Sequence, residues 1–164
     1  MIGAYVKMIL GAAILIFLIV TFTLWLLAQY SHIRPPLGFK EGRLLPCPPS
    51  PNCVSSQANP HDKTHYLPPL KFSGDPGQAK KTLLEIVHAL PNSTLVKDET
   101  NYLRVEFRTR IFGFTDDVEF LIDPDAGLIH FRSASRVGHS DLGVNRKRME
   151  YLRSVLSQKL GQRQ

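Results

Sequence analysis

From Met8 to Ala28 the chain carries no charged side chain. This run constrains the fold more than any other feature. Its centre, Ile9 to Leu27, reads ILGAAILIFLIVTFTLWLL, with Thr21 and Thr23 as its only polar members. As a helix those 19 residues span roughly 28 Å, close to the hydrocarbon thickness of a bilayer. Tyr5 precedes the run, and Trp25 and Tyr30 lie at its far end, where amphipathic rings suit the two membrane interfaces. A cleaved signal peptide is the competing reading. Against it, the run exceeds the usual signal core of about 7–15 apolar residues. The small-residue cleavage pattern also fails, because Leu26 stands two positions before Ala28, and no cysteine follows at once to mark a lipoprotein site. The pattern favours an uncleaved, single-pass anchor.

Apart from Lys7, every Lys, Arg, Asp and Glu lies after this run, so residues 29–164 hold 19 basic and 14 acidic side chains, net +5. That length suffices for one ordinary domain core. Its apolar content is normal and it has no fixed repeat, which excludes collagen-like, coiled-coil and disordered classes. The expected organisation is an N-terminal tail at 1–7, a transmembrane helix at 8–28, a proline-rich strap at 29–60, an α+β domain at 61–160 and a C-terminal tail at 161–164.

Orientation is closely balanced. The N-terminal side offers the free amine and Lys7, the other side Arg34, Lys40 and Arg43. A literal charge count slightly favours a cytoplasmic domain, although long domains translocate largely regardless of charge. The cysteines point the other way. Cys47 and Cys53, the only two, lie in LLPCPPSPNCVSS (44–56), stiffened by Pro46, Pro48, Pro49 and Pro51. Proline fixes φ and blocks helix, so this segment reads as an extended, turning strap. A small disulfide loop here would contribute about 2 kcal/mol through loop entropy. A metal site would have to recruit His61 and His65, but the C-x5-C and H-x3-H spacings miss the zinc patterns. A disulfide is favoured over metal or free thiols, and it fits an oxidising compartment: the periplasm or the cell exterior.

The soluble part reads β-α-β-β-β-β-α. His65–Phe72 is a short edge segment broken by Pro68 and Pro69. Asp75 and Pro76 open a helix reaching Leu90, with Ala79, Leu83, Ile86, Val87 and Leu90 at helical spacing. Four strands are expected at Thr94–Lys97, Tyr102–Ile111, Asp117–Ile122 and Leu128–Arg136. A last helix runs from Leu142 to Leu160, with Asp141 as its cap and a stripe of Met149, Leu152, Val155, Leu156 and Leu160. The fold class is therefore α+β, an antiparallel sheet with helices on its apolar face. Hydrophobic matching pairs Phe107 with Phe120 and Phe120 with Phe131. On the opposite face this sets Arg108 beside Glu119 and Glu119 beside Arg132, with Arg104, Arg110, His130 and Arg136 around them. A solvated face of cross-strand ion pairs is the favoured reading there, and a basic surface for an anionic ligand the other.

Residues 129–148, IHFRSASRVGHSDLGVNRKR, pack serines, glycines and arginines between the last strand and the last helix. Such a segment can bind an anion at a helix N-terminus, or serve as an elaborate cap. The two readings stay open together. Gly138 to Leu142 nearly matches a nucleophile elbow, but its fifth residue is Leu and the sheet is expected to be antiparallel. Adjacent Ser, His and Asp also do not converge easily as a triad. The basic residues are dispersed without a nucleic-acid motif, so no nucleic-acid partner is expected.

The strap PCPPSPNCVSS together with RSASRVGHSDLGVNRKR resembles domain-of-unknown-function family number 1499, found in bacteria and plant plastids. The resemblance covers roughly residues 44–160. Its matching positions run from Pro46 to Ser56 in the strap, Pro49 excepted, and in the second motif are Arg132 to Arg136, Gly138, Ser140, Asp141, Gly143, Asn145 and Arg146. His139 stands where an aromatic residue such as Tyr would be expected. The resemblance implies a membrane or envelope setting and supplies no activity or cofactor. The expectation is a membrane-anchored, non-enzymatic binding or accessory domain, in a bacterial inner membrane with its C-terminal domain in the periplasm. An anionic small molecule, a lipid headgroup or a protein partner would dock at Arg132, Ser133, Ser135, Arg136, Asn145 and Arg146. The alternatives are a structural component of a membrane complex, or a hydrolase-type enzyme using the 133–146 cleft with Asp141 or His139 as acid/base. No catalytic residue, cofactor or metal is assigned.

Overall fold

A computed structural model describes residues 2–161. Helix α1 (Ile2–Ser31) contains the whole uncharged run and is long and apolar enough to cross a membrane. It also takes in residues 2–7, so the helix exceeds the expected 8–28 span at both ends. The chain then forms a short hairpin, β1 (Phe39–Lys40) and β2 (Arg43–Leu44), and β3 (Cys53–Ser55). Next come β4 (Leu70–Lys71), α2 (Pro76–His88), β5 (Ser93–Asp98), β6 (Tyr102–Arg108), β7 (Thr115–Asp123), β8 (Leu128–Ser135) and α3 (Val144–Gly161). From β4 onward this is the β-α-β-β-β-β-α order read from the sequence, and the class is α+β. Of the expected C-terminal tail, Gly161 ends α3 and 162–164 lie outside the described residues.

The main sheet has the order β3-β8-β7-β6-β5, with β4 also on β8, and every pairing between these strands is antiparallel. Period-two alternation sends Leu103, Val105 and Phe107, Val118, Phe120 and Ile122, and Ile129 and Phe131 to one face. There they join Ala79, Leu83, Ile86 and Val87 of α2 and Met149, Leu152 and Leu156 of α3 in a single core. Asp75 caps α2 by accepting from Gln78 N at 2.7 Å. Asp141 does the same for α3, accepting from Asn145 N at 2.7 Å and Gly143 N at 3.0 Å.

Two expectations need correction. Phe120 does pair with Phe131, and Glu119 with Arg132, but Phe120 faces Leu103 and not Phe107. Phe107 pairs with Asp116, and Arg108 pairs with Thr115 and not Glu119. The slip is four residues, an even number, so both faces keep their composition while every partner changes. Its cause lies in the hairpin loop. Alternation through Arg110 and Ile111 suggests a continuing strand, yet Thr109 closes a turn there: its carbonyl accepts from Gly113 N at 3.1 Å and its hydroxyl from Phe114 N at 2.9 Å.

The second correction concerns the polar face of the sheet, which is not solvated. After α1 the chain runs back across it. Ser31 meets Thr115, Arg34 meets Glu106, Pro35 meets Arg104, and Phe39 packs its ring on Tyr102 at 5.4 Å. Leu44 closes over Tyr102 and Leu121 as a second small cluster. This cover buries Arg104, Glu106, Asp117, Glu119 and Arg132.

Candidate functional site

The two polar motifs, some eighty residues apart in sequence, meet in space. β3 of the strap pairs with β8, setting Cys53 opposite Ala134, Val54 opposite Ser133 and Ser55 opposite Arg132. Cys47 and Cys53 form a disulfide, so the proline strap is tied covalently to the sheet edge. Asn52 extends the junction: its carbonyl accepts from Ser135 N at 3.0 Å and from Asn145 Nδ2 at 3.1 Å, and its Nδ2 donates to the Gly138 carbonyl at 2.6 Å.

On the helix side of the sheet, Asn145 is the hub. Its Oδ1 accepts from Ser133 Oγ at 2.5 Å and from Arg148 at 2.7 Å, while its Nδ2 donates to Ser135 Oγ at 3.1 Å. Ser135 Oγ donates to Asp116 at 2.6 Å, and Arg148 reaches the other Asp116 oxygen at 2.7 Å while lying over the Phe107 ring at 4.4 Å. A cation in the first turns of a helix is unfavourable by the helix dipole. The Asp116 carboxylate and the aromatic face offset this for Arg148. Arg146 turns elsewhere, toward the carbonyls of Lys63, Thr64 and Tyr66 at 3.0–3.1 Å.

On the opposite side Arg136 is the hub. Its Nε donates to Asp117 at 2.7 Å and its Nη2 to Glu106 at 2.6 Å and to Asp117 at 2.9 Å. Its Nη1 donates to the Ser31 carbonyl, at the last turn of α1, at 3.0 Å. Arg104 adds two bonds to Asp117, at 2.9 and 3.1 Å, and Arg34 donates to Glu106 at 2.7 Å. Glu119 accepts from Tyr102 Oη at 2.7 Å and, more loosely, from Arg132 at 3.5 Å. Arg132 Nε is buried without a hydrogen-bond partner.

Burial and charge pull these carboxyls in different directions. Burial acts to raise Glu106, but hydrogen bonds from Arg34 and Arg136 outweigh it and hold the group below its usual range. For Glu119 burial prevails over Tyr102 and the neighbouring arginines, and the group is raised. The Tyr102 phenol is pushed up by burial and by its bond to Glu119. A carboxyl held low in the folded state contributes stability above its unfolded value and loses it as pH falls. Glu106 therefore stabilises at neutral pH, and its contribution fades below the ordinary glutamate value of 4.5. Glu119 has the opposite sign: its contribution is present at low pH and is lost as pH rises through its raised value. Thermal midpoints are expected to fall between neutral pH and about pH 3, with Glu106→Gln showing a shallower fall. An unchanged acid limb in that variant would remove Glu106 from the account.

The six sequence-selected residues thus fall into separate settings. Ser133, Ser135 and Asn145 share the helix-side network, Arg132 and Arg136 lie on the opposite face, and Arg146 grips the 63–66 segment that follows the strap. The sequence did not single out Asn52, Glu106, Asp117, Ser31 or Arg34 as site residues, whereas a cation at the head of the last helix, as Arg148 is, is expected to pair with an acidic group and does so with Asp116. For Glu106 and Asp117 the signal was present, as charged residues at alternate positions of central strands, but the four-residue slip gave them the wrong neighbours. His139 is exposed, and the Asp141 carboxylate is occupied by backbone amides. His65 is held between Asp62 at 2.7 Å and the Ser50 carbonyl at 3.1 Å. A cleft of about 300 Å³ opens beside it, lined by Arg43, Leu45, Cys47, Gln57 and Asp62 among others.

The architecture defines a class: an α+β domain, stapled by a disulfide strap, behind one apolar N-terminal helix. The family model described as "protein of unknown function (DUF1499)" matches residues 43–156, most of the chain. The protein belongs to that family, and the match takes in both motifs. A search of curated proteins found no match.

Proposed function

We propose that the protein is a membrane-tethered, non-enzymatic accessory domain at the cell envelope, acting as a structural component of a membrane complex. In this reading its two motifs brace the domain against its anchor. The observation that carries it is Arg136, which holds Glu106 and Asp117 from the sheet and the Ser31 carbonyl from the end of α1 in one hydrogen-bonded group. The Arg136 side chain that would greet an anionic ligand is 5% exposed, and its guanidinium is already paired with two carboxylates. Asn145, Ser133 and Ser135 likewise spend their hydrogen bonds on each other and on the strap. Such satisfied polar networks fix a fold. The disulfide supports an oxidising compartment, hence a domain in the periplasm behind a bacterial inner membrane.

Two measurements test this. Thermal shift of the full chain in detergent micelles should show no rise in Tm with inorganic phosphate, pyrophosphate or citrate. A saturable rise that Arg136→Lys abolishes would restore an anionic ligand. Thiol labelling of intact cells without reductant should leave Cys47 and Cys53 unmodified, and rapid labelling from the cytoplasm would reverse the orientation.

A further inference from the structure

Outside α1, large apolar side chains stand in solvent at a few places, and two exceed the rest. Ile111, in the β6–β7 loop, is 84% exposed and Leu142, in the β8–α3 loop, is 86% exposed. Both are more exposed than any of the large hydrophobics of α1 whose side chains are described, where the highest value is 66%. Single exposed apolar residues are ordinary. Two at one end of a sheet, next to a candidate membrane helix, are a patch with a direction.

The direction follows from the contacts. β6 ends, β7 begins and β8 ends at the same edge of the sheet, where Arg108 pairs with Thr115 and Asp116 with Ser135. α1 joins the domain at that edge. Ser31 Oγ accepts from Thr115 N at 3.1 Å, and the His32 ring meets the Gly113 carbonyl of the hairpin loop at 3.1 Å. From Ser31 the chain runs away from this edge, past Glu106 and Arg104 to Tyr102. One helical turn before Ser31, Ala28 is fully buried, whereas most of the preceding helix is exposed. The hairpin loop thus lies against the final turn of α1, where its apolar run ends. α3 starts at the same edge, since Asn145 and Arg148 bond to Ser133, Ser135 and Asp116, and this brings Leu142 there too.

The charges complete the pattern. Arg108 and Arg110 immediately precede Ile111 and Phe112 and are exposed, and Phe112 is itself 40% exposed. Across residues 108–114 and 137–143 the single acid is Asp141, whose oxygens are taken by Gly143 N and Asn145 N. Apolar tips beside arginines, without free carboxylates, match the boundary between acyl chains and anionic headgroups.

We infer that the β6–β7 and β8–α3 loops form a second membrane contact: Ile111, Phe112 and Leu142 enter the bilayer interface beside α1, and Arg108 and Arg110 meet lipid phosphates. This rests on the reading of α1 as an anchor. It seats the domain directly on the membrane at its anchored end and turns the opposite β7–β8 turn, around Asp125, toward solvent.

The chain has no free cysteine, so introduced thiols are unique labels. The full-length protein is reconstituted in phosphatidylcholine vesicles, with and without phosphatidylglycerol. Nitroxides are placed in turn at Ile14→Cys, Ile111→Cys, Leu142→Cys and Asp125→Cys, and accessibility to oxygen is compared with accessibility to a water-soluble nickel chelate. Labels at 14, 111 and 142 should favour oxygen, the label at 125 should favour nickel, and phosphatidylglycerol should deepen 111 unless Arg108 and Arg110 are both changed to Ala. Labels at 111 and 142 as nickel-accessible as 125, with 14 still in lipid, would overturn the second contact and leave the anchor intact. A nickel-accessible label at 14 would overturn the anchor itself, and the second contact with it.

Discussion

Arg136→Ala is expected to destabilise the domain by about 3–5 kcal/mol, because it strips the counter-ion from buried carboxylates. Glu106 and Asp117 are each almost fully buried. Glu106 would keep only Arg34, whose side chain is largely exposed, and Asp117 would keep Arg104. The Ser31 carbonyl would lose its donor as well, so the end of α1 should loosen from the sheet. Arg136→Lys retains the charge but not the fork that reaches Glu106, Asp117 and Ser31 together, and should recover only part of the loss. Chemical denaturation of the full chain in micelles measures both. A loss below about 1 kcal/mol for the alanine variant, the range of exposed pairs, would place this network in effective contact with water.

The second large effect is expected at Phe120→Ala, at about 3–5 kcal/mol for a fully buried aromatic truncated in a core. Phe120 is wholly enclosed at the centre of the sheet, with Leu103 opposite on β6 and Phe131 opposite on β8. The pairing gives this substitution a second use. In double-mutant cycles Phe120 should couple to Leu103 by about 0.5–3 kcal/mol and to Phe107 far less, since residues more than about 7–10 Å apart usually add independently. Coupling to Phe107 in place of Leu103 would return the hairpin to the register that hydrophobic matching alone suggests.

That register marks how far local pattern reaches. The apolar run of α1, the caps Asp75 and Asp141, and the alternating strands were all legible, because each depends on neighbours within a few residues. The pairing of Phe120 with Phe131 was also legible, since Asp123-Pro-Asp-Ala-Gly127 leaves little doubt where that hairpin turns. At the β6–β7 hairpin, Arg110 and Ile111 continue the alternation although the backbone has already turned at Thr109. Alternation reports which face a residue occupies and is blind to a shift by an even number of positions. Glu106 therefore lay on the right face but away from Asp117, which it faces across the two strands.

Composition of the polar face was equally misleading about its surroundings. Rows of Arg and Glu on alternate positions describe a solvated surface as well as they describe a buried network. The difference rests with residues 31–44, whose apolar side chains Ile33, Leu37, Phe39 and Leu44 follow neither a helix nor a strand period and so give no core signal of their own. They cover the face because Ser31, Arg34, Pro35 and Phe39 find partners at successive points along β6 and β7.

By itself the sequence determined the candidate membrane helix, the α+β order from β4 onward, the two caps and the place of the two motifs, since all of these are written in short-range periodicity, turn chemistry and residue type. The tertiary structure alone decided that the motifs meet across β3 and β8, and that Arg136 joins the sheet to the end of α1. It also decided that Ile111 and Leu142 emerge at one edge. Each of these depends on which distant residues come into register, and the energy of such contacts comes from burial that no local stretch of chain contains.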